Sequence, residues 1–137
     1  SSRLKKLAAN ITCASYTYCI GALEGDYDLY EYAGEDPFLP LARLQNFSVC
    51  PHGMTLRAKA MQQVIERNAI DGVVFASNRS CKVYSLMQLD QMRRLRDELG
   101  IPCVMIDVDH ADVRKYSEEM VFTRLEALLE LIDARRA

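Results

Sequence analysis

The chain has 137 residues, half of them apolar and 26% charged, with a formal net charge of −2. That is one domain's worth of chain, long enough to bury a core but short for an enzyme that must hold both a large substrate and a cofactor. The slight acidity gives no electrostatic pull on nucleic acid or an anionic membrane, no apolar run nears the roughly 20 residues of a membrane span, and no signal peptide is visible, so a globular cytoplasmic protein is expected. The five cysteines, Cys13, Cys19, Cys50, Cys81 and Cys103, are odd in number and contain no CxxC pair. This argues against a disulfide framework and against a zinc ribbon.

Ser1-Ser2-Arg3 lacks an initiator Met and leads straight into an apolar stripe of Leu4, Leu7 and Ala8, as expected of a chain taken from a longer one. Ile11 to Tyr16 reads as a first strand. Residues 17–35, with three Gly and four Tyr in an acidic background, read as an irregular loop region. Asp36-Pro37 signals a helix start, Asp as N-cap and Pro at the first helical position, leading into Phe38, Leu41 and Leu44. Phe47 to Cys50 is a short extended piece, and Pro51-His52-Gly53 a turn. From Met54 to Asn68 the positions Leu56, Ala60, Val64 and Ile65 predict one buried helical face.

The stretch Asp71 to Ser85, DGVVFASNRSCKVYS, is the centre of the chain. Val73, Val74 and Phe75 predict a strand buried on both faces, and Ser77 to Ser80 a loop that ends it. Leu86, Leu89, Met92, Leu95 and Leu99 then recur at helical spacing, with Ser85 and Gln88 forming a capping-box pair at the helix start. Cys81 is therefore placed at the carboxyl end of a strand and near the amino end of a helix, the edge where open α/β sheets bind ligands. Free backbone N–H groups, the helix dipole and the charges of Arg79 and Lys82 favour a thiolate in such a place. The alternative is a buried, inert cysteine closing a βα turn.

Gly100 signals a helix end, and Cys103 to Ile106 a second buried strand. Beyond it lie Asp107, Asp109, His110, Asp112 and Arg114, which read either as a metal or acid/base site or as an ion-paired loop capping the sheet edge. Ser117 with Glu118 and Glu119 starts the last helix, whose stripe is Val121, Leu125, Leu128, Leu129 and Ile132. Alternating strands and helices with short connections predict right-handed crossovers and a single α/β domain over residues 1–137. Its fold class is a Rossmann-like three-layer α/β/α arrangement with a parallel sheet of about four strands.

Two motifs carry a family resemblance: DGVVFASNRSCKVYS, and IDVDHADVRKYSEEMVFTRLEALLELI from Ile106 to Ile132. Together with DPFLPLARL at Asp36 and CPHGMTLRAKAM at Cys50, they resemble the C-terminal domain of a subunit of the 2-hydroxyacyl-CoA dehydratase family, which includes the ATP-dependent benzoyl-CoA reductases. Met120 and Leu128 depart from that family's usual Gln and Phe. The resemblance implies a longer subunit carrying a 4Fe-4S cluster on cysteine ligands, a heterodimer with a second homologous subunit, an ATP-dependent activator protein that injects one electron, and an acyl-CoA substrate. The implied activity is that of a lyase of anaerobic metabolism, radical elimination of water from an (R)-2-hydroxyacyl-CoA; a benzoyl-CoA-type reductase subunit, or a non-catalytic scaffold that docks a partner, are the alternatives. Cys81 matches the implied ligand position for the metal, with Cys50 a second candidate for cluster binding. The remaining ligands would lie elsewhere, so the 137-residue chain alone is expected to bind no cluster.

Overall fold

The structure is a computed structural model that describes residues 7, 9–14, 36, 38–39, 42, 53–109 and 111–137, with only the backbone described at 83, 84 and 115. The chain divides into two compact units, Ile11–Asn68 and Ser1–Asn10 with Ala69–Ala137. The elements are α1 (Met54–Arg67), β1 (Val73–Asn78), α2 (Lys82–Leu99), β2 (Cys103–Val108), a 3-10 turn (Val113–Lys115) and α3 (Glu118–Arg136). None of these helices is long and apolar enough to cross a membrane.

In the first unit, Asp36 caps a helical turn as its sequence announces, its Oδ1 accepting the Phe38 N–H at 2.9 Å. Phe38 is exposed rather than buried. Ile11 to Ala14 are exposed and form no strand, because no ladder partner takes up their backbone among the described residues. The expectations at residues 4–8, apart from Leu7, and at 15–35, 37, 40, 41 and 43–52, Cys50 included, fall outside the described residues. In α1 the buried positions are Arg57, Ala60 and Ile65, whereas Leu56 is exposed. The inward stripe thus begins one residue later than the apolar pattern, with Arg57 buried where Leu56 was expected.

In the second unit β1 and β2 pair in parallel, Val73 opposite Cys103 through Asn78 opposite Val108. They form a two-stranded sheet among the described residues, and the expected adjacency and parallel sense hold. Both strands run further than their apolar cores. The open face of β1 departs from expectation: Phe75 is buried, but Val74 and Ala76 are exposed, so the strand is covered on one side only. Phe75, Leu95, Ile101, Val104 and Leu128 make the core, with α2 packed on both strands and α3 on β2.

Helix α2 starts a full turn before Ser85, with Cys81 as N-cap. It also faces inward differently from its leucine pattern. Gln88, Gln91 and Leu95 are buried, while Leu86 is 76% exposed and Leu89 is 42% exposed. Leaving such leucines in water forfeits about 1.5–3 kcal/mol each of possible burial. The inward face carries a polar contact instead: Gln88 Nε2 donates to the Ala76 carbonyl at 3.0 Å.

The helix ends at Gly100, whose φ of +61° is the left-handed conformation glycine adopts freely. Its N–H donates to the Arg96 carbonyl at 3.1 Å and that of Ile101 to Leu95 at 2.9 Å. At the start of β1, a Cβ on Gly72 would lie 2.8 Å from Ile132 Cδ1, so the absence of a side chain lets α3 approach the strand. Ser117 caps α3 as expected, its Oγ accepting the Met120 N–H at 3.4 Å, with Glu118 and Glu119 in the first turn. Ser117→Ala should cost about 1 kcal/mol in urea unfolding.

Candidate functional site

The carboxyl edge of the sheet carries two loops, 79–81 after β1 and 109–117 after β2. The first is built by Asn78, whose Oδ1 accepts the Ser80 N–H at 3.2 Å and whose carbonyl accepts the Cys81 N–H at 3.0 Å. This turns the chain within two residues and delivers Cys81 to the N-cap of α2. The Cys81 carbonyl accepts the Ser85 N–H at 3.0 Å, so the helix begins on the cysteine itself. Its thiol is free and half-buried.

Ser85 and Gln88 do not form a capping box. Both lie inside α2 and reach back to the strand, Ser85 Oγ donating to the Asn78 carbonyl and Gln88 Nε2 to that of Ala76. Cysteine is a poor cap and serine a good one, which is why the sequence points to the later start. The pair is visible as Ser-x-x-Gln; its target is not.

The second loop is joined to the first by side chains. Arg79 forms an ion pair with Asp107, Nε donating to Oδ2 at 2.7 Å, and Ser80 Oγ donates to Asp109 Oδ1 at 2.8 Å. Asp109 Oδ1 also accepts the Ala111 N–H at 2.9 Å, and Asp112 binds Arg114 at 2.8 Å through Nε. Of the two sequence readings of this region, the ion-paired loop is the one found, with His110 outside the described residues. The charge of Arg79 is committed to Asp107 rather than reserved for the thiol. No group of three or more His, Cys, Asp or Glu able to hold a metal occurs among the described residues.

These contacts set the protonation of the edge. The Arg79 guanidinium holds the Asp107 carboxyl below its ordinary value, and Asp107 in turn raises Arg79. Asp109 is lowered by the Ala111 N–H first and by Ser80 second, Asp112 by Arg114. A carboxylate with a depressed folded value contributes stability above its unfolded value, about 3.9, and loses it as pH falls through the folded one. Acidification below that value should therefore loosen the 79–81 turn, read as a smaller protection of the Cys81 amide from hydrogen exchange relative to an unstructured chain at the same pH. Salt should weaken the same link at neutral pH, since both partners are exposed.

Cys103, at the opposite end of the sheet, behaves otherwise. Burial pushes its thiol up to about 11, against the opposing charge of Arg96, and its Sγ donates to the Ile101 carbonyl at 3.2 Å. At pH 8 it stays a thiol, so iodoacetamide should label exposed Cys13 well before Cys103 in the folded chain.

The whole chain bears on what this edge is for. Residues 3–132 match the family described as 2-hydroxyglutaryl-CoA dehydratase, D-component. The chain is 32% identical over 81 residues to the lactoyl-CoA dehydratase subunit alpha of Anaerotignum propionicum, covering 59% of this chain and 19% of that one. It is 27% identical over 135 residues to the (R)-phenyllactyl-CoA dehydratase alpha subunit of Clostridium sporogenes, covering 98% and 30%. To a benzoyl-CoA reductase subunit of Thauera aromatica it is 26% identical over 132 residues, covering 94% and 29%. The chain thus spans less than a third of the length of these relatives. Because the match runs almost from end to end of the chain, this protein belongs to the 2-hydroxyglutaryl-CoA dehydratase D-component family.

Proposed function

We propose that this chain is the C-terminal part of a subunit of an iron–sulfur (R)-2-hydroxyacyl-CoA dehydratase, and that Cys81 is one cluster ligand in the intact protein. The observation that carries the reading is the seat of Cys81: a half-buried thiol at the sheet's carboxyl edge, on the N-cap of α2, in a turn tied to both strands. Soft thiolates are what iron–sulfur clusters require.

The donor set fits such a group in part. Cys81 supplies a sulfur, whereas the nearby carboxylates are engaged by Arg79, Ser80 and Arg114. Further ligands must come from Cys50 or from chain beyond these 137 residues, and the chain alone should hold no cluster. When bound, a 4Fe-4S cluster supplies a low-potential electron to the acyl-CoA thioester. The task of this chain's residues is positional: the Asn78 turn aims the thiolate, the Arg79–Asp107 and Ser80–Asp109 links keep the two edge loops together, and α2 carries the load back into the core.

The proposal extends to the surroundings. The two-stranded sheet is the centre of a four-stranded, Rossmann-like α/β/α domain, the partner is a second homologous subunit, and an ATP-dependent activator delivers the electron. The alpha-subunit names of the relatives support a partner. Free thiols at Cys13, Cys81 and Cys103 suit a reducing cytoplasm. The similarity to a benzoyl-CoA reductase subunit along nearly the whole chain supports a second reading, reduction of an aromatic acyl-CoA at the same edge.

Anaerobic purification of the intact protein with its partner tests both readings. Iron with labile sulfide, a visible charge-transfer band, and enoyl-CoA formed from a 2-hydroxyacyl-CoA in the presence of activator, ATP and reductant are expected. Reduction of an aromatic acyl-CoA instead would favour the second reading, and protein free of iron would overturn both.

A further inference from the structure

The inward face of α2 sets an amide where a leucine was available. Gln88 is 5% exposed while Leu86, two residues earlier, is 76% exposed. The amide is used on one side only: Nε2 donates to the Ala76 carbonyl at 3.0 Å, and Oε1 is buried with no partner among the described residues. A buried acceptor left unmet is destabilising, so neither packing nor polar satisfaction accounts for glutamine here. What the amide does achieve is a fixed end for β1.

Ala76 and Asn78 are the last two residues of β1 whose carbonyls meet α2, through Gln88 and Ser85. The Asn78 carbonyl is also the acceptor of the Cys81 N–H, and Ser85 N–H closes back onto the Cys81 carbonyl. One helix face thus grips the strand immediately before the turn, while Arg79–Asp107 and Ser80–Asp109 hold the turn from β2. Cys81 sits between the two sets.

We propose that Gln88 is a positioning residue for Cys81, fixing the strand end from which the cysteine turn springs. The proposal rests on the reading of Cys81 as an iron ligand for its use, and on the hydrogen bonds alone for its geometry. Nothing in it requires Gln88 to touch the cluster.

The test uses the intact protein, purified anaerobically, with Gln88→Met, which keeps length and burial but has no donor, and Gln88→Leu, which keeps burial without either polar atom. Hydrogen exchange at the Cys81 amide should rise about tenfold in both, the effect of one lost hydrogen bond, while the Leu95 amide in the core exchanges as before. Iron content should persist with an altered electron paramagnetic resonance spectrum. Ser85→Ala, removing the second grip, should raise Cys81 exchange in the same sense. Unchanged exchange at Cys81 in both Gln88 variants, or an equal rise at Leu95 and Cys81, would overturn the proposal by making Gln88 a general stability residue. Faster exchange in a protein that holds its iron without Cys81 would leave the positioning intact and defeat the iron-ligand reading instead.

Discussion

Cys81→Ser in the intact protein should remove or damage the cluster and abolish turnover while leaving the fold nearly as it was. The two halves of that result have separate causes. Serine cannot replace a thiolate as a soft ligand for iron, so the loss of cluster is chemical rather than structural. The side chain is only half-buried and its backbone, not its sulfur, makes the hydrogen bonds of the turn, so unfolding should shift by under about 1 kcal/mol. Iron determination, the visible spectrum and urea unfolding on the same preparation separate the two. Full iron and full activity in Cys81→Ser would reduce the cysteine to a turn residue and end the iron–sulfur reading of this edge.

Leu95→Ala should cost about 2–5 kcal/mol, the range for truncating a buried leucine. Leu95 is 2% exposed, in the core with Phe75, Ile101, Val104 and Leu128. Leu86→Ala, nine residues earlier on the same helix, should change stability by no more than about 0.5 kcal/mol, because that side chain is already in water. The pair measures the orientation of α2 directly. A loss at Leu86 as large as that at Leu95 would mean that Leu86 is covered rather than exposed, against the orientation described for α2.

The contrast marks where sequence and structure part. Strand type at Val73–Phe75 and Val104–Ile106, the caps at Asp36 and Ser117 and the stop at Gly100 were legible, because each depends on a local preference: β-branched runs, a side-chain oxygen before a helix, a residue free to adopt positive φ. The inward face of α2 was not. Leu86 and Leu89 have the right spacing for a core stripe, but the helix turns Gln88, Gln91 and Leu95 inward, and the contact that Gln88 makes there, with Ala76, lies across twelve residues of sequence. In α1 too a polar residue takes the inward place, Arg57 being buried and Leu56 exposed.

At the candidate site the place of Cys81 was legible from the order strand, turn, helix, and the ion-paired loop was one of the two readings that Asp107 to Arg114 allowed. The partners were not legible. Arg79 and Ser80 lie 28 and 29 residues from Asp107 and Asp109, and only the parallel pairing of β1 with β2 brings them together. Arg79 therefore looked like a charge for the thiol when read along the chain, and is a tether between loops in three dimensions.

The grip of α2 on β1 bears on how this sheet meets other chains. Val73 N–H bonds the Pro102 carbonyl and Arg79 N–H that of Val108, so the odd-numbered residues of β1 turn their backbone toward β2 and the even-numbered ones turn it outward. On that outer side the carbonyls of Ala76 and Asn78 are already taken by Gln88 and Ser85. An extended segment adding itself to this part of the margin must share or displace an amide and a hydroxyl that the protein's own crossover helix delivers. Among the described residues the later half of β1 is thereby guarded by the helix that follows it rather than by a charge or a proline on the strand, and a further strand of the sheet is left the first half, Val73 to Phe75, to pair with.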